Sequence, residues 1–229
     1  MKKILVVETN VCKYAKSNRA TGLWLGESVH FFEVMTKAGY EVDFMSPTGG
    51  YVPIDPYSFK YASDKDWKWY ADKKFQDRAL ANTKKPDEVN PDDYIAIYYA
   101  GGHGAVWDFP NDKNLQKIAE RIYFNGGFIT SVCHGVVGLL NLKDKCGNLL
   151  IKEKEVTGFS DTEELFGNTK GKVPFSTEGE LLNRGARYTK RRAFTEYAIS
   201  DGRIITGQNV QSSKKVANML VEELRKIEA

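Results

Sequence analysis

No stretch of this chain approaches the roughly 18 consecutive apolar residues that a membrane-spanning helix needs, so no membrane partner is expected. Met1-Lys2-Lys3 begins as a secretion signal does, but the apolar run behind it breaks at Glu8 and reads as a first buried strand. Cysteine is sparse: Cys12, Cys133 and Cys146 are odd in number and far apart. That spacing argues against a disulfide framework and for a reducing compartment, which makes a cytoplasmic location the expectation. No CxxC or HxxxH pattern occurs, so the sequence supports no metal site. Net charge is nearly absent, because 33 basic and 30 acidic side chains leave +3, and no nucleic-acid partner is expected. The one dense basic group, Arg184, Arg187, Lys190, Arg191 and Arg192, reads as a solvated face, with an anion or dimer contact as the alternative. Histidine is scarcest of all. His30, His103 and His134 are the three present, which restricts any mechanism that needs an imidazole.

What remains is an α/β pattern. With 229 residues, 41% of them hydrophobic, the chain fits one domain over 1–229 with an elaboration. Ile4–Val7 is a continuous apolar run suited to a strand buried on both faces, and Val42–Met45, Tyr94–Tyr99 and Phe128–Val132 read as further short strands. Between them run helical periods: Leu25, Val29, Phe32 and Met35 closed by Gly39, then Leu115, Ile118 and Ile122 closed by Asn125-Gly126-Gly127. A helix is expected to begin with Val136, Val137, Leu139 and Leu140. Further on, a strand is expected at Val156-Thr157, a helix near Thr162–Phe166, and a hairpin over Tyr197–Thr206 turned by Asp201-Gly202. A last helix carries Val216, Leu220, Leu224 and Ile227. Residues 51–90, rich in aromatics and charges, read as an insertion or cap, partly helical around Trp67–Ala81, of the kind that often forms one wall of a pocket. Strands alternating with helices define a doubly wound, mostly parallel sheet sandwiched by helices, whose ligands bind at the carboxyl ends of the strands.

Two loops fall at that edge, Ala100-Gly101-Gly102-His103-Gly104 and Cys133-His134-Gly135. A cysteine between a buried strand and a helix projects from a tight elbow, and a helix N-terminus lowers a thiol's pKa from about 8.5. The alternative, a buried structural cysteine, is common, but the local pattern favours a nucleophile. Cys12 and Cys146, in polar surroundings, read as incidental. Gly101-Gly102 allows close approach of backbone N–H groups, and Gly102 with the His134 amide would form an oxyanion hole. His134 is placed to relay protons unless it faces solvent. Glu27 by itself reads more readily as a first-turn acid complementing the helix dipole. His30 reads as a packing or surface residue, and His103 as shaping the pocket without proton transfer.

Together these residues resemble the ThiJ/PfpI superfamily. The glycine loop with Asp108 and Pro110, and Ser131-Val132-Cys133-His134-Gly135, are its most specific marks. They are most similar to the glyoxalase III and stress-chaperone branch. Leu25-Gly26-Glu27, Thr157-Gly158-Phe159, Pro174-Phe175 with Glu178 and Leu181, and Asp201-Gly202-Arg203 through Gly207-Gln208-Asn209 extend the likeness over the whole chain. The resemblance implies a flavodoxin-like sandwich, usually a homodimer, with no metal or organic cofactor. It implies Cys133 as nucleophile, Glu27 hydrogen-bonded to it, and an acid after Thr-Gly-Phe that orients His134. Glu164 fits that acid best, with Glu163 beside it. A departure lies at Val210-Gln211, where relatives tend to carry Pro-Ala. Being remote from Cys133 in sequence, it is expected to have little effect on the chemistry.

The activity this implies is that of a glutathione-independent glyoxalase, converting a small 2-oxoaldehyde, methylglyoxal, to lactate through a Cys133 hemithioacetal. Two other classes stay open: a stress-related holdase or cysteine oxidation sensor, and a cysteine peptidase or amidase. The class I glutamine amidotransferase arrangement is disfavoured, because it needs a histidine well downstream of the cysteine and none follows His134.

Overall fold

The computed structural model describes residues 3–228, and its apolar runs stand side by side. β1 (Lys3–Val7), β2 (Val42–Met45), β3 (Tyr94–Tyr99) and β4 (Phe128–Val132) are almost wholly buried. β5 (Glu155–Val156) and β6 (Arg187–Tyr188) form a small separate parallel pair. β7 (Ala198–Asp201) and β8 (Ile204–Gly207) form the expected hairpin. The main sheet has six strands in the order β2-β1-β3-β4-β8-β7, and every pairing but β7–β8 is parallel. The helices in chain order are α1 (Leu25–Lys37), α2 (Pro56–Lys60), α3 (Asp64–Tyr70), α4 (Lys73–Phe75), α5 (Ala105–Asp108), α6 (Lys113–Phe124), α7 (Asp161–Phe166), α8 (Thr177–Asn183) and α9 (Ser213–Glu228).

A parallel strand needs cover on both faces, and the side-chain alternation shows where it comes from. In β1, Ile4 and Val6 point into one core while Leu5 and Val7 point into the other; in β3, Ala96 and Tyr98 are opposed to Ile97 and Tyr99. The first core is closed by Val29 and Met35 of α1 and by Val216 and Leu220 of α9. The second is closed by Leu115, Ile118 and Ile122 of α6, together with Leu181 of α8. This is a flavodoxin-like, doubly wound sandwich. Capping sets the start of α6, where the Asp112 carboxylate accepts from the N–H groups of Asn114 (2.8 Å) and Leu115 (3.0 Å).

Four local expectations change. The helix read over Trp67–Ala81 is broken at Ala71-Asp72, because the Asp72 carboxylate accepts from Phe75 N–H and starts a new element, α4, which continues as a π-helical turn over Gln76–Ala81. Residues 133–139 are a 3₁₀ helix instead of the start of an α-helix. The short strand expected at Val156-Thr157 lies one residue earlier. Ile227 is 59% exposed and off the packed face of α9. The basic group is largely paired on the surface, Arg184 with Glu180, Arg187 with Asp201 and Lys190 with Glu178.

Candidate active site

β4 ends in the core and the chain turns at once. Cys133 takes a φ of +56°, a left-handed conformation that costs a residue with a Cβ about 1–2 kcal/mol. The turn leaves Cys133 6% exposed at the carboxyl edge of the sheet. The elbow is therefore present, but the expected lowering of the thiol pKa is not. Burial pushes the thiol well above its ordinary value, and the Glu27 carboxyl beside it raises it further, against the N–H of His134, which is directed at the sulfur. A seven-residue 3₁₀ turn stands in place of the expected α-helix, and the one amide directed at the sulfur is outweighed by burial.

His134 points back at the nucleophile, with Nδ1 3.4 Å from Cys133 Sγ. Its other nitrogen, Nε2, lies 2.6 Å from Glu164 Oε1. A carboxylate there fixes the tautomer with the proton on Nε2 and leaves the Nδ1 lone pair facing the thiol. Glu164 Oε2 accepts from the Thr169 hydroxyl and faces His103 Nε2 at 3.3 Å. Burial works to raise the Glu164 pKa, yet the electrostatic pull of His134 and the hydrogen bonds from both imidazoles outweigh it and hold the carboxyl well below the usual range. His103 lies with its ring centroid 4.1 Å from that of His134. Burial, then the nearby His134, lowers its pKa to about 4, so it is neutral near pH 7. Glu163 is engaged elsewhere: it accepts from the Ser160 N–H and hydroxyl and from Phe194 N–H and Asn209 Nδ2. Among the described residues His103, His134 and Glu164 are the one trio of ligand-type side chains within 4.8 Å. Their donor atoms are already turned on one another, so a metal would have to break the pairing.

Glu27 reaches the thiol from the opposite side. Its Oε2 accepts from Gly101 N–H at 2.6 Å, its carboxyl interacts with the Cys133 thiol, and no cation among the described residues pairs with it. Burial raises its pKa to about 8. Gly101, expected at the oxyanion, thus gives its N–H to Glu27, and a Cβ there would stand 2.7 Å from Glu27 Oε2. Gly102, at φ +104°, lines the pocket, and a Cβ on it would meet Gly22 O at 2.1 Å. Glu27 does lie in the first turn of α1, but it is fully buried and, with its pKa raised to about 8, holds its proton near pH 7 and brings no charge to the helix dipole.

Cys133, His134 and Glu27 open into a pocket of about 750 Å³. Residues of the 51–90 segment, including Asp55, Tyr57, Tyr61 and Asp66, form one wall. Val210 and Gln211 line it as well, so the departure that sequence distance sets aside belongs to the substrate's surroundings.

A family model described as DJ-1/PfpI matches residues 21–223. The chain belongs to the DJ-1/PfpI family. Among members of the family, Glyoxalase 3 of Candida albicans is 36% identical, over 96% of this chain and 98% of its own length. A glutathione-independent glyoxalase of Saccharomyces cerevisiae is 35% identical over 98% of each chain. The crystal structure of glyoxalase III from Candida albicans superposes with a TM-score of 0.88 at 33% identity, covering 96% of each chain. The X-ray structure of the Rapid Encystment Protein 24 kDa of Francisella tularensis gives a TM-score of 0.94 at 39% identity, covering 98% of this chain and 99% of that one.

Several pocket residues of this DJ-1/PfpI chain escape sequence reasoning. His30, one turn after Glu27 on α1, faces the pocket with Nε2 3.0 Å from Asp66 Oδ1. The i, i+3 spacing of Glu27 and His30 is the available signal, but the contact with Asp66 comes from a distant helix. Thr169 and Arg19 carry no motif at all.

Proposed function

We propose that this chain is a glutathione-independent glyoxalase that converts methylglyoxal to lactate with Cys133 as its nucleophile. The carrying observation is the thiol held 3.4 Å from His134 Nδ1, with Glu27 on its other side, in a chain 35–36% identical to glyoxalases over nearly its full length. With a pKa of about 8, Glu27 begins the cycle protonated. His134 takes the thiol proton as sulfur attacks the aldehyde carbon, and the new alkoxide, beside the amides of Gly102 and His134, is protonated by Glu27. Glu27, now a carboxylate, removes the proton from that carbon, while His134 returns its proton to the second carbonyl oxygen, giving an enediol. Glu27 then protonates the second carbon and His134 takes the hydroxyl proton of the first, leaving a lactoyl thioester. Water attacks the thioester, giving its proton to Glu27, and the departing thiolate recovers its proton from His134. The cycle returns every group to its starting state and consumes one water. Glu164 stabilises the His134 imidazolium formed on the way.

The same proposal reads residues 1–229 as one domain with 51–90 as its cap, acting as a cytoplasmic homodimer. A thiol, an imidazole and a carboxylate also suit peptide hydrolysis, and the names of the relatives favour the glyoxalase. Lactate formed from methylglyoxal without glutathione, in wild type and in Cys133→Ala, tests the reading. Activity is expected in wild type and in Cys12→Ala, and none in Cys133→Ala. Turnover retained by Cys133→Ala would overturn it.

A further inference from the structure

The pocket is far larger than a three-carbon aldehyde requires, because about 750 Å³ lies in the range that encloses ligands of drug size. One feature of its wall is chemically incomplete. Arg19 lines the pocket with its guanidinium carbon 4.6 Å from the ring centroid of Tyr57 and 5.2 Å from that of Tyr14. Its position is set by a tight loop in which Tyr14 N–H donates to Arg19 O at 3.0 Å and Lys13 bridges Ala20. Two aromatic rings flank the guanidinium and its Nε is buried, so an anion would bind through the terminal nitrogens Nη1 and Nη2. No described residue hydrogen-bonds those nitrogens, although the Arg19 charge is felt at the Asp55 carboxyl. Arg19 makes no ion pair among the described residues, and its Nε is buried without a hydrogen-bond partner. Asp55, in the same wall, is engaged by the Tyr57 N–H and the Thr21 hydroxyl.

Arg19 is also close to the chemistry. Tyr14 stands 5.5 Å from the His103 ring, which stands 4.1 Å from His134, and the Arg19 charge is felt at His103. The unpartnered, buried Nε marks a guanidinium that the described groups of the protein leave unsatisfied. Arg19 is the one Lys or Arg among the described residues lining the pocket. A lone guanidinium matches a carboxylate, which it binds through two parallel N–H···O bonds.

We propose that Arg19 is a carboxylate-binding subsite of the Cys133 pocket, and that the preferred substrates are 2-oxoaldehydes bearing a carboxylate rather than methylglyoxal itself. This rests on the glyoxalase reading and names the substrate class within it. The test compares kcat/KM for 4,5-dioxopentanoate and 6,7-dioxoheptanoate with that for their methyl esters, in wild type, Arg19→Met and Arg19→Lys, each checked for folding by its melting temperature. The expected result is a preference of tenfold or more for at least one acid over its ester in wild type. That preference should shrink in Arg19→Lys and vanish in Arg19→Met. Equal kcat/KM for acid and ester in wild type, or a preference that survives in Arg19→Met, would overturn the subsite.

A second arm needs no turnover. Alkylation of Cys133 by iodoacetamide is followed by mass spectrometry in the presence of 6-oxoheptanoate or its methyl ester. The acid should protect at concentrations where the ester does not, in wild type and not in Arg19→Met. Failure of every 2-oxoaldehyde to react would remove the glyoxalase reading while leaving this arm to decide the subsite, and equal protection by acid and ester would reject it.

Discussion

The two flanks of Cys133 each present a glutamate, both nearly sealed from solvent at 0% exposure for Glu27 and 2% for Glu164, and their electrostatics run in opposite directions. On the α1 flank Glu27 meets one backbone N–H and the thiol, so burial dominates and the carboxyl keeps its proton up to about pH 8. On the α7 flank Glu164 meets two imidazoles and the Thr169 hydroxyl, and these outweigh the same burial to hold it ionised. Burial alone therefore does not assign a role; the number and charge of the donors does. The first flank can give and take protons. The second fixes an imidazole and stabilises its charge.

Removing the proton carrier should have the largest effect. Glu27→Gln is expected to lower kcat for methylglyoxal about 10³-fold, within the range for loss of a positioned acid–base group, while the melting temperature holds or rises because a buried ionisable group is gone. Activity within tenfold of wild type would erase the distinction between the flanks. Glu164→Gln should cost about 10²-fold and also lower the melting temperature, since it unpairs two buried imidazoles; loss of activity with an unchanged melting temperature would contradict the pairing.

The pH profile sharpens the contrast further. Because Glu27 must start protonated, kcat/KM should fall as pH rises through about 8, by up to tenfold per unit. A profile flat to well above that pH would place the essential proton elsewhere. The smallest effect concerns Glu8, another fully buried acid raised to about 8 by burial against a Ser28 hydrogen bond. Its folded pKa lies above its unfolded one near 4.5, so the unfolded chain loses a proton that the folded one keeps. Stability drains away as pH climbs from about 4.5 to 8, by up to about 1.4 kcal/mol per unit from this group. Urea titrations of Glu8→Gln between pH 6.5 and 8 should show a shallower decline than wild type, with glyoxalase activity little changed.

The strands β2, β3 and β4 are readable residue for residue, because a strand buried on both faces is short and mostly apolar, interrupted here by Asp43 in β2 and Thr130-Ser131 in β4. The hairpin is readable from Asp201-Gly202. The 51–90 segment is less so, since Asp72 restarts a helix through its own side chain where apolar periodicity alone continues. At the site, Cys133 and His134 stand out because the elbow is local in sequence. Glu27 and Glu164 enter through resemblance, and their opposed protonation is invisible until β3, α1 and α7 converge. His103 reads as a pocket residue, yet its pairing with Glu164 joins positions 61 residues apart. Arg19 and Asp66 are ordinary surface letters until folding turns them toward one space, and Val210, noticed as a departure from relatives, joins them there.

The most direct measurement is on the sulfur. Enzyme quenched in acid during turnover of methylglyoxal, digested and analysed by mass spectrometry, should carry a lactoyl adduct on the peptide containing Cys133, released by hydroxylamine as a thioester is. Lactate formed at full rate with Cys133 never modified, or an adduct confined to Cys12 or Cys146, would contradict the account.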